Sequence, residues 1–170
     1  RLMGQFLGGT GKIAVVSSAI ASENNNYYVQ VRETEFADFI HKEYPDIKII
    51  TTLDSFEDPQ ITYEKTVKLL RDYQDLQGIY ITCGGVSQVG RALEESGRAK
   101  DIRVISFDAT RSALELVQQG IITADIECNP DQGIYVDELI RKMRNGKPAP
   151  KLTFVPETVY TKENVTEELE

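Results

Sequence analysis

Five short runs of apolar and β-branched residues recur along the chain, at residues 13–17, 47–53, 78–82, 102–107 and 121–126, and a helical pattern separates each from the next. Parallel strands need a crossover long enough to return the chain, and a helix supplies it, so strict alternation of this kind predicts a parallel sheet with helices on both faces. The helical patterns fall at residues 27–44, 59–73, 86–97, 112–119 and 132–145. Right-handed crossovers then make a doubly wound α/β sheet of order 2-1-3-4-5 the leading topology.

Boundary residues agree with this division. Pro59 opens a helix where a missing N–H costs least, and Gly97, Gly120 and Gly146 follow helical runs where a left-handed cap is wanted. Tyr63, Val67 and Leu70 form one stripe of the second helix and read as core. The segment Arg1 to Leu7 reads as the last turns of a helix. A chain that opens there without an initiator Met is expected to be a fragment, and the missing portion would carry any targeting signal. Beyond the stiff connector Gly146-Lys147-Pro148-Ala149-Pro150, the alternating run 152–160 is either an edge strand or a link to another lobe. Residues 163–170 are acidic and read as a solvated helix or tail.

A length of 170 residues makes one ordinary domain, able to bury roughly two-thirds of its unfolded surface without a disulfide or metal. The net charge of −8 opposes a nucleic-acid contact within these residues, since such a surface needs clustered Lys and Arg. No run has the apolar length of a membrane span. Cys83 and Cys128 fall at the ends of strands that the predicted order separates by a third. That places them roughly 9 to 10 Å apart from the interstrand spacing, beyond the reach of a disulfide. Two free thiols fit a reducing compartment.

Several kinds of chemistry find no support. Gly8-Gly9-Thr10-Gly11-Lys12 fails as a phosphate loop, with Phe6 at the first glycine's place, Ile13 in place of Ser or Thr, and a strand following rather than preceding it. Gly85-Val86-Ser87-Gln88-Val89 fails as a nucleophile elbow at Val89. His41 is the one histidine, on the polar end of a helix, so a His-based zinc site or a triad is not expected. Cys83 beside Gly84-Gly85 reads as a small half-buried residue more readily than as an activated thiol. No cofactor, no metal and no enzymatic activity are expected.

What remains is a set of binding groups on successive strand ends, where loops and helix N-termini converge in open α/β sheets. Ser17 to Asn26 is a polar loop after the first strand, leading to Tyr27, Tyr28 and, one turn before Phe36, Arg32. Phe56, with Asp54 and Glu57, follows the second strand, Cys83 the third, Asp108 the fourth and Cys128 the fifth. A guanidinium, a carboxylate and nearby aromatics together suit a polyol. Each has a blander reading: Asp108 as the N-cap of the next helix, Arg32 paired with Glu33 or Glu35, Phe56 in the core.

The chain resembles the second half of the type I periplasmic-binding-protein superfamily, which includes sugar-binding transport proteins and the effector domains of LacI/GalR transcriptional regulators. The resemblance rests on Gly11-Lys12-Ile13-Ala14-Val15-Val16, Arg32-Glu33-Thr34-Glu35-Phe36, Asp75-Leu76-Gln77-Gly78-Ile79-Tyr80, Val104-Ile105-Ser106-Phe107-Asp108 and Gly120-Ile121-Ile122-Thr123-Ala124-Asp125-Ile126. It implies that Arg32 and Asp108 hold sugar hydroxyls, and that Cys83 and Cys128 stand where members commonly carry Asn and Gln. It also implies two hinge crossings, near Cys128-Asn129-Pro130 and near residues 156–160. Residues 1–128 would then form the C-terminal lobe, 129–157 would belong to the partner lobe, and 158–170 would be a return crossing and tail.

Within the superfamily, the Gly84-Gly85 loop and the turn from Thr52 to Pro59 look closest to the regulators. The expectation is therefore a cytoplasmic effector domain that closes on a small carbohydrate-like ligand. It would reach DNA only through an upstream helix-turn-helix and would pair as a homodimer. The alternative is the extracytoplasmic solute-binding protein of a sugar ABC transporter.

Overall fold

The computed structural model describes residues 1–18, 27–128, 132–150 and 153–165. Most of the polar loop after the first strand, the first expected hinge at 129–131, residues 151–152 and the acidic end from 166 lie outside them.

Five strands, β1 (Gly11–Ser17), β2 (Ile47–Asp54), β3 (Leu76–Ile81), β4 (Arg103–Phe107) and β5 (Ala124–Cys128), pair in parallel in the order β2-β1-β3-β4-β5. That is the predicted topology. The alternating run near the end supplies β6 (Glu157–Tyr160), an edge strand antiparallel to β5. Val165 is fully buried behind a turn in which the Thr161 N–H donates to Asn164 Oδ1 at 2.7 Å. Within the segment expected to be a solvated tail, Val165 is therefore part of the core, whereas Glu163 and Asn164 are exposed.

Helices fill the intervals: α1 (Leu2–Phe6), α2 (Tyr27–Glu43), α3 (Pro59–Asp72), α4 (Val86–Glu95), α5 (Arg111–Gln119) and α6 (Gln132–Arg144). Both faces of the sheet are covered, which explains why its strands read as continuous apolar runs. Ala14, Val16, Ile79, Ile81 and Val104 point to one face, where α3, α4 and α5 supply Leu69, Leu70, Val89, Leu93, Ala113 and Val117. Ile13, Val15, Tyr80, Ile105 and Phe107 point to the other, against Met3 of α1 and Ile40 of α2.

Two expectations shift. On α3 the buried stripe is Thr62, Thr66, Leu69 and Leu70, while Val67 is 40% exposed. The threonines tolerate burial because their hydroxyls donate to the Asp58 and Thr62 carbonyls four residues earlier. The fifth strand begins three residues later than predicted. Ile121 and Ile122 are buried in the turn closing α5, where both N–H groups donate to the Leu116 carbonyl.

The turn into α4 is one place where glycine is required. Gly85 has φ +102°, and a Cβ there would stand 2.8 Å from Thr62 Cγ2.

Candidate functional site

Arg32 leaves α2 at the carboxyl end of the sheet, and three contacts fix its guanidinium. Nη1 donates to the Thr82 carbonyl at 3.2 Å, Nη2 donates to Asp108 Oδ1 at 3.2 Å, and Cζ lies 4.2 Å from the Phe107 ring centroid. Beneath it is an aromatic stack. Phe107 meets Tyr80 edge-on at 5.8 Å, and Tyr80 lies nearly parallel to Phe36 at 3.9 Å. Burial pushes the Tyr80 phenol well above its ordinary range, so the ring is a neutral floor. A guanidinium stacked on an aromatic face and anchored to a main-chain carbonyl loses little further freedom when it meets a ligand.

Asp108 reaches Arg32 through an unusual backbone. Its φ is +84° and that of Ala109 is +38°, a left-handed pair with no glycine, and such residues cost on the order of 1–3 kcal/mol each where the surroundings hold them. The helix that follows is capped by Thr110, whose hydroxyl accepts the Ala113 N–H at 3.3 Å. Asp108 is thus not the N-cap, and Arg32 bonds to it rather than to Glu33 or Glu35. The Arg32 side chain is 23% exposed and that of Asp108 56%, so both have surface left for a ligand.

The pair borders a hollow of about 610 Å³. Tyr28 stands on the α2 side, and Glu127 and Cys128 close it at the end of β5. Tyr135, Val136 and Leu139 of α6, with Thr153 and Val155, form the opposite wall. A charged pair, phenols and an apolar wall in one concavity suit a ligand with both hydroxyls and a C–H face.

Four of the six residues expected at the site, Tyr28, Arg32, Cys128 and Asp108, therefore share one hollow. Cys83 and Phe56 lie outside it. Cys83 is buried, its sulfur 3.3 Å from Ser55 Oγ, and burial raises its thiol pKa, against the smaller lowering effect of the Ser55 hydrogen bond. It fills space between strand ends. Phe56 is 54% exposed and carries Lys65 Nζ 4.7 Å from its ring centroid. The loop turns it outward, because Phe56 and Glu57 both adopt left-handed conformations, with φ +53° and +55°. The α6 wall was missed, since Tyr135 and Leu139, four apart on a helix, look the same in sequence whether they face a core or a cleft.

A larger depression, about 760 Å³, opens at the other end of the strands beside Lys12, Lys48 and Arg98. Two of these cations are engaged: Lys12 pairs with Asp75, and Arg98 donates to the carbonyls of Leu70, Tyr73, Gln74 and Leu76. That end is a fastening of the α3–β3 loop. Among the described residues no group of His, Cys, Asp and Glu is placed to hold a metal ion, and no helix is long and apolar enough to cross a membrane.

Comparison with known proteins agrees with this fold. The model of a periplasmic binding protein domain matches residues 1–164. A sugar-binding protein of a sugar ABC transporter from Bacillus halodurans is 29% identical, with a TM-score of 0.83 over 98% of this chain and 60% of that one. The arabinose-binding protein AraP from Geobacillus stearothermophilus is 25% identical, with a TM-score of 0.83 over 98% of this chain and 59% of that one. A solute-binding protein of an ABC transporter from Agrobacterium vitis, with bound D-fucose, is also 25% identical, at a TM-score of 0.79 over 99% and 57%. The chain thus spans about 60% of the length of the first of these. No curated protein matches it.

Proposed function

The chain belongs to the periplasmic binding protein domain family, and from that premise we propose that it is the ligand-gripping lobe of a two-lobed protein that closes on a small neutral sugar. The observation that carries this reading is the Arg32–Asp108 pair, held on an aromatic floor at the rim of a hollow. Arg32 supplies forked donors, Asp108 supplies acceptors, and Tyr28 offers a flat wall, the set of groups that a ring of hydroxyls demands. Binding rather than catalysis is proposed, since the buried Cys83 thiol is held protonated, away from a nucleophile's state. The apolar residues Ile134, Val136, Ile140 and Met143 of α6, all exposed here, would be covered by the remainder of the partner lobe.

Two settings fit such a lobe. The matched transport proteins favour a solute-binding protein delivering sugar to an ABC transporter outside the cytoplasm. The two free cysteines favour the effector domain of a cytoplasmic LacI/GalR-type regulator, a dimer acting on DNA through an upstream segment. The upstream gene sequence separates them: a signal peptide or lipobox cysteine supports the first, a helix-turn-helix the second.

Calorimetric titration of the full-length protein with D-fucose and with D- and L-arabinose tests the binding itself. Arg32→Ala and Asp108→Ala should each weaken affinity by about 1.5–3 kcal/mol, the worth of a charge-assisted hydrogen bond. Unchanged affinity in both variants removes the pair from the site.

A further inference from the structure

Below the ligand-facing pair lies a second carboxylate that touches no part of the hollow. Asp125 is in register with Ser106 across β4 and β5 and is fully buried. Its Oδ2 accepts the Ser106 hydroxyl at 2.5 Å, and its Oδ1 accepts the Ala109 N–H at 2.8 Å. Ala109 is the second of the two left-handed residues, and the first, Asp108, donates its own N–H to the Ile126 carbonyl at 3.0 Å. Residues Val104 and Ser106 face the α3–α5 side of the sheet, whereas Phe107, under Arg32, faces α2. A strand continuing regularly would send residue 108 back toward Ser106. The left-handed turn instead aims it at Arg32.

We propose that Asp125 is a positioning residue for ligand capture, its buried carboxylate fastening the Asp108–Ala109 turn in the strained form that presents Asp108 beside Arg32. This rests on the sugar-binding reading for its consequence and on the geometry of the turn for its substance. A buried carboxylate is costly unless its oxygens are bonded, and here the two partners are the strand below the turn and the turn itself. Burial raises its pKa, with Asp108 and Glu127 adding to the rise, while the hydrogen bonds from Ser106 and Ala109 oppose it. An aspartate stands here despite that cost. A fastening role accounts for this.

The test uses the full-length protein and three variants. With D-fucose and the two arabinoses as probes, Asp125→Ala should weaken binding by about tenfold or more, as expected when a buried N–H is left without its acceptor. Asp125→Asn should stay within about threefold of the parent, because the amide oxygen still accepts from Ala109 and the amide nitrogen donates to Ser106. In the Asp108→Ala background, Asp125→Ala should cost no further affinity, an outcome that a general loss of structure would not produce.

Sugar-free crystal structures of the parent and of Asp125→Ala supply an arm that needs no ligand, with the Asp108 carboxylate expected to leave Arg32 in the variant. If Asp125→Ala fails to fold, the isosteric Asp125→Leu carries the same comparison. An Asp108 carboxylate that stays on Arg32 in the variant, or a variant with parental affinity, overturns the proposal. A parent that binds none of the probes counts against the sugar reading, while the crystal structures still decide the role of Asp125.

Discussion

Arg32 acts through the shape of its side chain as well as its charge, and the two are separable. A guanidinium serves the Thr82 carbonyl and Asp108 from different nitrogens while lying flat on Phe107. An ammonium has neither the plane nor the fork. Arg32→Lys should therefore keep the charge yet lose about tenfold in sugar affinity, roughly 1.4 kcal/mol, in calorimetric titration. Full retention of affinity would mean that charge alone suffices. Arg32, on α2, was legible through the family resemblance, whereas Asp108 was legible in the sequence because a strand end restricts where a following side chain lies. Phe56 and Cys83 satisfied the same rule and still fell outside the hollow. Which way a loop turns depends on local backbone such as the left-handed Phe56–Glu57 pair, and residue type does not announce it.

The elements differ in how they begin. Asp58 caps α3, its Oδ1 accepting the Ile61 N–H at 2.8 Å, whereas Asp108 precedes α5 without capping it, a task that Thr110 performs. Asp58→Ala should cost about 1 kcal/mol of stability, and Asp108→Ala should cost less while weakening sugar binding. Urea midpoints of the two variants, compared with the parent, check this contrast. The same level shows what pattern reading delivers. Sheet order and the helices were recoverable because apolar periodicity and turn residues agree. The start of β5 was not, since Ile121 and Ile122 have the same apolar character in a buried turn as in a strand. Nor was the direction of β6, because alternation carries no sign of parallel or antiparallel pairing.

For the molecule as a whole, Asp125 ties stability to pH. Its carboxyl is raised by burial above the ordinary 3.8, so the folded chain takes up this proton at higher pH than the unfolded chain does. Its stabilising contribution is complete below the unfolded value and is lost as pH rises through the folded one. Replacing it by Asn removes that dependence. Over the acid limb, unfolding free energies of Asp125→Asn should therefore fall more steeply, or rise less, toward low pH than those of the parent. Parallel curves for the two proteins would show that Asp125 ionises alike in both states.

The 3.2 Å contact between Arg32 and Asp108 makes that part of the hollow's rim a dipole rather than a pole, beside the Glu127 carboxylate. A dipole's field fades faster than that of a lone charge, and mobile ions damp what is left beyond about 8 Å in physiological salt. Capture of an uncharged sugar at this rim should then proceed at nearly the same strength in dilute buffer and in concentrated sodium chloride, as titrations across that range would register. A sugar site of this kind would keep its sensitivity when the surrounding ionic strength swings.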